Sequence, residues 1–181
     1  MADRLSKLAI KYGTDKVPCN GHSYTPYYYK LFKDMKVKKL LEIGIGTPET
    51  MSHIPNYKTG ASLRMWRDFF PEALIYGCDI RRKAMFEEER IKTYICDQSK
   101  KLRLLEMMEE IGNIDIIIDD GSHKTSDQIF SAKVLLPFTK LYIIEDVHEP
   151  ELIKAEFPKC KIKKFKGISD INDQLIWLQQ S

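Results

Sequence analysis

Short, continuously apolar runs recur along this chain, and each one ends at a polar break. Runs of this kind are typical of strands that are buried in a parallel sheet. They predict five strands, at residues 37–43, 73–78, 91–96, 116–118 and 141–144. Amphipathic segments separate these strands and predict helices that pack on the sheet. The helices are predicted at residues 3–11, 26–35, 61–70, 81–89, 102–111, 125–136 and 149–157.

The end of the chain predicts a different kind of pairing. Two further strands are predicted at residues 160–165 and 174–178, joined by a turn at 167–170. Together with the alternating strands and helices, they define the expected fold class as α/β. We expect a single, doubly wound, Rossmann-like domain with a mostly parallel seven-stranded sheet, helices on both faces and a C-terminal β-pair. Residues 1–36 are expected to form a helical segment that packs on this domain and lines its site, and residues 37–181 to form the domain itself.

Acidic residues close four of the five predicted parallel strands. Asp79 and Asp97 follow the second and third strands, Asp119 and Asp120 the fourth, and a Glu-Asp pair at 145–146 the fifth. In an open α/β sheet, ligands bind beyond the carboxyl ends of the strands. For a single acid the simpler interpretation is a strand cap or a partner for one of the many lysines and arginines. Several acids at one sheet edge favour a functional site.

The first strand ends in a Gly-x-Gly sequence, formed by Gly44 and Gly46. Glycines directly after a strand allow a ligand to approach the backbone closely. By itself this pattern is weak, because the third glycine of a dinucleotide-binding fingerprint is absent and no helix begins there. About a dozen loop residues follow before the next predicted helix, and a long loop between a strand and a helix is often functional.

Composition narrows the function classes without choosing one. The chain has 181 residues, 43% hydrophobic and 30% charged, with 29 Lys+Arg against 26 Asp+Glu. The resulting net charge of +3 is too mild to indicate nucleic-acid binding. The four cysteines are widely spaced and contain no C-x-x-C pair, which favours reduced thiols in a cytoplasmic protein over a zinc site. The N-terminus lacks the apolar core of a signal peptide, and no apolar run is long enough to span a bilayer.

Seven short motifs stand together in an order that resembles class I S-adenosylmethionine-dependent methyltransferases. The similar subgroup is the metal-dependent sugar O-methyltransferases of macrolide biosynthesis, the macrocin and mycinamicin type. The motifs are KYGTDK at 11–16, LEIGIGT at 41–47, GASLRMWRDFFP at 60–71, YGCD at 76–79, DQ at 97–98, IDDGSH at 118–123 and IEDV at 144–147. The acid–Gly-Ser-His block followed by Glu-Asp is far more specific than Gly-x-Gly. Pro48 and the segment 136–140, which replaces a Pro-Gly-Gly turn, depart from the family pattern.

The resemblance implies a role for individual residues. It implies that Asp120, Glu145 and Asp146 bind Mg²⁺ (or Mn²⁺) and that His123 is the general base. It implies contacts with S-adenosylmethionine from the following residues: Thr14, Gly44, Gly46, Ser62, Asp79, Asp97, Gln98 and Asp119. Three carboxylates on neighbouring strand ends form an oxygen-only site, which suits Mg²⁺ better than zinc. His148 is a second, less favoured candidate for the base.

The expected activity is metal-assisted O-methyl transfer to a hydroxyl of a small molecule, a sugar or a glycosylated metabolite. Two alternatives stay open: a non-catalytic binding subunit with a methyltransferase fold, and an NAD-dependent Rossmann enzyme. No nucleic-acid or membrane partner is expected. The aromatic helix at 26–35 could be a surface for a homo-oligomer or part of the core, and its tyrosines, with Tyr24 and His22, either pack on the sheet or wall a ligand site.

Overall fold

An eight-stranded mixed sheet organises the residues that the computed structural model describes, 2–164 and 174–179. The strands are β1 (Lys39–Ile43), β2 (Leu74–Asp79), β3 (Glu87–Glu88), β4 (Ile91–Ile95), β5 (Ile114–Asp119), β6 (Thr139–Ile144), β7 (Lys161–Lys164) and β8 (Gln174–Gln179). Their order across the sheet is β3-β4-β2-β1-β5-β6-β8-β7. The five central strands are parallel, while β3, β8 and β7 pair antiparallel with their neighbours. The predicted α/β class and the C-terminal β-pair are confirmed. The turn predicted at 167–170 lies outside the described residues.

Helices cover both faces of the sheet, as the alternating pattern predicts. They are α1 (Arg4–Tyr12), α2 (Thr25–Phe32), α3 (Ala61–Phe69), α4 (Lys101–Ile111), α5 (Thr125–Leu135) and α6 (Pro150–Glu156). Successive side chains of a strand point to opposite faces. In β1, Leu40 therefore joins the core beneath α1, α2 and α3, and Leu41 joins the core beneath α4, α5 and α6.

The prediction of a helix at 81–89 is wrong. This segment forms a 3₁₀ turn at Arg82–Ala84 and then the short edge strand β3. Glu88 of β3 accepts salt bridges from Arg64, at 2.7 Å, and Arg67, at 3.0 Å, both on α3. The backbone N–H of Phe86 donates to Thr93 Oγ1 of β4 at 2.8 Å. These tertiary contacts stabilise the extended conformation of residues 86–88, and they outweigh the helix propensity of this charged segment.

The aromatic face of α2 belongs to the core of this chain. Tyr28 and Phe32 are 0% and 1% exposed. Their rings stack with centroids 5.2 Å apart, and the Tyr28 ring meets Trp66 of α3 edge-on at 5.5 Å. Burial of these rings joins α2 to α3, so this face of α2 is not a free surface for a second copy.

Asp68 at the end of α3 ties α1 to the rest of the domain. It accepts a hydrogen bond from Tyr12 and salt bridges from Lys11, at 3.0 Å, and Arg67, at 3.1 Å. Partial burial raises the pKa of the Asp68 carboxyl, but these donors outweigh it and lower that pKa to about 2. None of the helices in the described part of the chain is long and apolar enough to cross a membrane.

Candidate active site

The carboxyl ends of β1, β5 and β6 meet where the strand order reverses. Hydrogen bonds of the sheet continue one residue past each strand. Gly44 N donates to Cys78 O at 2.8 Å, Asp120 N to Ile43 O at 2.9 Å and Glu145 N to Asp119 O at 2.9 Å. Gly44, Asp120 and Glu145 therefore lie side by side on one edge. This reversal is the place where an open α/β sheet binds its ligands.

Gly44 allows two strand ends to approach more closely than any other residue would permit. Its φ is +90°, and a Cβ atom placed on it would lie 2.0 Å from the backbone oxygen of Asp120. Gly46 has a φ of +72°, and a Cβ there would lie 2.8 Å from the hydroxyl of Tyr57. Both glycines thus leave room that a side chain would fill. We call the Gly44–Gly46 segment the glycine cradle.

Two cavities open on either side of this cradle. The first, of about 450 Å³, is lined by Gly44, Asp79, Asp97 and Gln98 among others. The second, of about 200 Å³, is lined by several of the predicted site residues: Gly44, Gly46, Ser62, Asp79, Asp120 and His123. The two cavities share Gly44 and Asp79, so they form one continuous site along the sheet edge. Asp15, which the sequence reasoning did not select, also lines the second cavity.

Backbone donors hold Asp79 at the junction of the cavities. Its Oδ2 accepts from Ile45 N at 3.1 Å, and its Oδ1 accepts from Arg81 N at 2.8 Å. The carboxylate is only 6% exposed, yet it faces both cavities. It is therefore a fixed acceptor for hydroxyl groups of a ligand.

Two predicted cofactor residues, Thr14 and Asp119, line neither cavity among the described residues. Asp119 is 0% exposed and accepts from Ser131 Oγ at 2.6 Å, Tyr142 Oη at 2.7 Å and Gln98 Nε2 at 3.0 Å. Burial raises the pKa of its carboxyl. The structure therefore places Asp119 behind the cavity, where it orients Gln98. Thr14 is likewise buried, and its hydroxyl donates to Asp15 at 3.3 Å.

Asp120, His123 and Asp146 form a candidate metal centre. One ligand atom from each lies within 4.8 Å of the other two. His123 Nε2 is 3.1 Å from Asp120 Oδ1 and 3.6 Å from Asp146 Oδ2. His123 and Asp146 have φ values of +55° and +49°. Left-handed backbone at residues other than glycine costs energy and is concentrated at functional sites.

Glu145, the third predicted metal ligand, lies beside this group and is held by other side chains. Its Oε2 accepts from Lys16 Nζ at 2.5 Å, and its Oε1 accepts from Tyr28 Oη at 2.6 Å. Lys16 Nζ also donates to Asp120 Oδ2 at 2.5 Å and lies 3.2 Å from Glu42 Oε1. Sequence reasoning missed Lys16, because nothing in a polar turn marks a lysine as buried. It also missed Glu42, although an acid inside the apolar strand β1 was a readable signal.

Burial and neighbouring charges shift the pKa values of this cluster in different directions. Burial lowers the pKa of Lys16, but Asp120, Glu145 and Glu42 outweigh it and raise that pKa well above its usual value. Burial raises the pKa of Asp120, but Lys16 and His123 hold it below its usual range. Burial also raises the pKa of Glu42 to about 7. For His123, burial lowers the pKa, and the nearby acids, Asp120 foremost, raise it to about 9.

Comparison with solved structures decides the fold. The structure of the MycE methyltransferase from mycinamycin biosynthesis, in complex with Mg, SAH and mycinamycin VI, superposes with a TM-score of 0.70 at 38% sequence identity. The match covers 80% of this chain and 37% of that chain. An O-methyltransferase from Bacillus cereus in complex with SAH, at 13% identity, matches 99% of this chain and 92% of its own with a TM-score of 0.62, which shows the fold alone.

The chain has the class I methyltransferase fold. The resemblance drawn from the motifs is confirmed by this result and by three related O-methyltransferases. They are demethylmacrocin O-methyltransferase of Streptomyces fradiae (39% identical over 148 residues), mycinamicin VI 2''-O-methyltransferase of Micromonospora griseorubida (38% over 152 residues) and 8-demethyl-8-alpha-L-rhamnosyl tetracenomycin-C 2'-O-methyltransferase of Streptomyces olivaceus (36% over 149 residues).

Each of these three alignments covers 79% of this chain and 36–37% of the relative. The chain therefore spans little more than a third of the length of the relatives it matches. No family model matches the sequence.

Proposed function

We propose that this chain carries out S-adenosylmethionine-dependent, Mg²⁺-dependent O-methyl transfer to a hydroxyl of a small molecule, a sugar or a glycosylated metabolite. One observation carries the proposal: the group Asp120, His123 and Asp146 adjoins the glycine cradle, and Asp120 and His123 line the same cavity as that cradle. A methyl donor in the cavities and a hydroxyl at the acids would thus meet at one sheet edge. The O-methyltransferase activities named for the relatives support this assignment.

The two cavities suit the two halves of S-adenosylmethionine. The first cavity would hold the nucleoside, with Asp79 accepting the ribose hydroxyls and Asp97 and Gln98 beside the adenine. The second would hold the methionine portion against the glycine cradle, with Ser62 on its wall. The cofactor supplies an electrophilic methyl group. Thr14 and Asp119 would act indirectly, through Asp15 and Gln98.

The acids have the donor chemistry of a magnesium or manganese site. Asp120 and Asp146 present oxygens to the same space, and Glu145 is the third carboxylate beside them. Oxygen ligands of this kind favour Mg²⁺ or Mn²⁺. A divalent cation held there supplies positive charge that lowers the pKa of an acceptor hydroxyl.

In this proposal, His123 receives the proton of that hydroxyl. Without a cation, the acids keep its imidazole protonated, because they raise its pKa to about 9. Positive charge among the same acids would lower this pKa again and leave a neutral imidazole, which can act as a base. Its ring lies between the second cavity and an open groove of about 640 Å³ that includes Ile129, His148 and Leu152. We assign this groove to the acceptor.

Methyl transfer from labelled S-adenosylmethionine to a panel of glycosides tests the proposal. Activity is expected to need Mg²⁺, to stop with EDTA and to return when Mg²⁺ is restored. His123→Ala should lower kcat by about 10²–10⁴-fold while SAH still binds. His53→Ala, which removes an exposed loop histidine, is the matched control and should be active.

Two results would contradict the assignment. Activity that is insensitive to EDTA would exclude the metal, and near-normal turnover by His123→Ala would exclude this residue as the base. SAH binding without transfer to any acceptor would favour a binding subunit. We also propose that the protein is cytoplasmic and binds neither nucleic acid nor membranes. We further propose that it forms a homo-oligomer, and light scattering would test this oligomeric state.

A further inference from the structure

The segment between α1 and the middle of α2 holds one oxygen of Asp120, one oxygen of Asp146 and both oxygens of the neighbouring Glu145. Lys16 Nζ donates to Asp120 Oδ2 at 2.5 Å, and Tyr24 Oη donates to Asp146 Oδ1 at 2.6 Å. For Glu145, Lys16 takes Oε2 at 2.5 Å and Tyr28 Oη takes Oε1 at 2.6 Å. All three donors are essentially buried, with Lys16 at 1% exposure and both tyrosines at 0%.

The remaining oxygens of the two aspartates face the same point. Asp120 Oδ1 and Asp146 Oδ2 are the atoms that lie 3.1 Å and 3.6 Å from His123 Nε2. Because Lys16 and Tyr24 hold the other oxygen of each carboxylate, the two oxygens that face His123 have little freedom to turn away. Side chains that orient metal ligands in this manner typically change metal affinity about 10–100-fold when they are removed.

We propose that Lys16, with the hydroxyls of Tyr24 and Tyr28, positions the carboxylates of the metal centre. The inference rests on the proposed function, because it takes Asp120 and its neighbours to bind a divalent cation. Lys16 is a positioning residue and not a ligand, since its ammonium has no lone pair to offer.

Charge alone predicts the opposite effect, and this makes the role of Lys16 testable. The ammonium is one positive charge beside three carboxylates, those of Glu42, Asp120 and Glu145. A bound cation would be repelled by it. If Lys16 contributed only charge, its removal would tighten Mg²⁺ binding. If it positions the acids, its removal weakens Mg²⁺ binding.

The decisive measurement is Mg²⁺ affinity by calorimetry, with SAH affinity as the check that the site is folded. Lys16→Met is expected to weaken Mg²⁺ binding about 10–100-fold. Tyr24→Phe and Tyr28→Phe each remove one hydroxyl, keep the ring in the core, and are expected to weaken it about tenfold. SAH affinity should stay near that of the unmodified protein in all three variants.

Tyr142→Phe is the matched control. It also removes a hydroxyl that donates to a buried carboxylate, that of Asp119 at 2.7 Å, but Asp119 is not among the metal ligands. Its Mg²⁺ affinity should match that of the unmodified protein. If Lys16→Met does not fold, the two other tyrosine variants decide the matter.

The outcomes separate the two proposals. If the unmodified chain binds no Mg²⁺, the metal-dependent function fails, and this inference fails with it. If the unmodified chain binds Mg²⁺ and the Tyr24 and Tyr28 variants bind it equally well, only the positioning role is overturned. Tighter Mg²⁺ binding by Lys16→Met would likewise overturn it and leave the proposed function standing.

Discussion

Replacing Gly44 by alanine tests how closely the two strand ends must approach. The new Cβ would lie 2.0 Å from the backbone oxygen of Asp120, 2.7 Å from its carbonyl carbon and 3.0 Å from the Cα of Gly121. These are backbone atoms, so no flexible side chain can turn away to relieve the overlap. The loop that carries Asp120 must therefore shift.

A second glycine provides a matched control for the backbone conformation. Gly13 has a φ of +70°, and a Cβ there would meet no atom of the described residues within 4 Å. Gly13→Ala should therefore cost only the left-handed conformation, about 1–2 kcal/mol. Gly44→Ala, at a φ of +90°, should cost this amount and an overlap term of about 1–3 kcal/mol. The difference between the two variants isolates the close approach.

Urea unfolding and ligand binding measure the two consequences. Gly44→Ala should have the lower midpoint with an unchanged slope, and the difference in unfolding free energy should be about 1–3 kcal/mol. Displacement of Asp120 should also weaken Mg²⁺ binding in Gly44→Ala and leave Gly13→Ala unaffected. Equal stability of the two variants, together with normal Mg²⁺ and SAH binding by Gly44→Ala, would refute this reasoning.

Three further substitutions test the metal centre, the cofactor cavity and the ion pairs of Asp68 one at a time. Asp120→Asn should abolish Mg²⁺ binding and leave SAH affinity nearly intact by calorimetry; a loss of SAH affinity would give Asp120 another role. Asp79→Asn should weaken SAH binding by about tenfold or more, because a charged acceptor is lost, and an unchanged affinity would place the ribose elsewhere. Asp68 has a pKa lowered to about 2 in the folded chain, so its stabilising effect is present above its unfolded pKa of about 4 and is lost as pH falls toward 2. Asp68→Asn should therefore lower the urea midpoint at neutral pH and converge with the unmodified protein near pH 2; a constant difference would argue against this ion pair.

The sheet edge could be predicted from the sequence because it follows from strand pattern and topology. Acids and glycines after apolar runs must gather at the carboxyl ends of parallel strands. The different positions of Asp119 and Asp120 could also have been predicted. Side chains alternate along β5, and Asp119 lies two residues after Ile117, which belongs to the core beneath α4, α5 and α6. Asp119 therefore points into that core, and Asp120 points to the other side.

Long-range contacts account for what the sequence could not predict. Lys16 is buried because three acids from different strand ends surround it, and no local pattern encodes that meeting. The edge strand β3 forms because Arg64 and Arg67 of α3 pair with Glu88, about twenty residues away in sequence. The burial of Lys16 and the formation of β3 both depend on contacts between residues that are distant in the sequence.

The left-handed backbone at His123 and Asp146 lowers the stability of this domain, while the side chains of the same two residues serve its proposed activity. Glycine relieves such strain at little cost, so variants selected only for resistance to heat should accumulate glycine at these two positions. Each such gain would remove a side chain of the metal centre. A thermostability screen would thus drift toward inactive proteins at these positions, and engineering of the domain should hold both residues fixed.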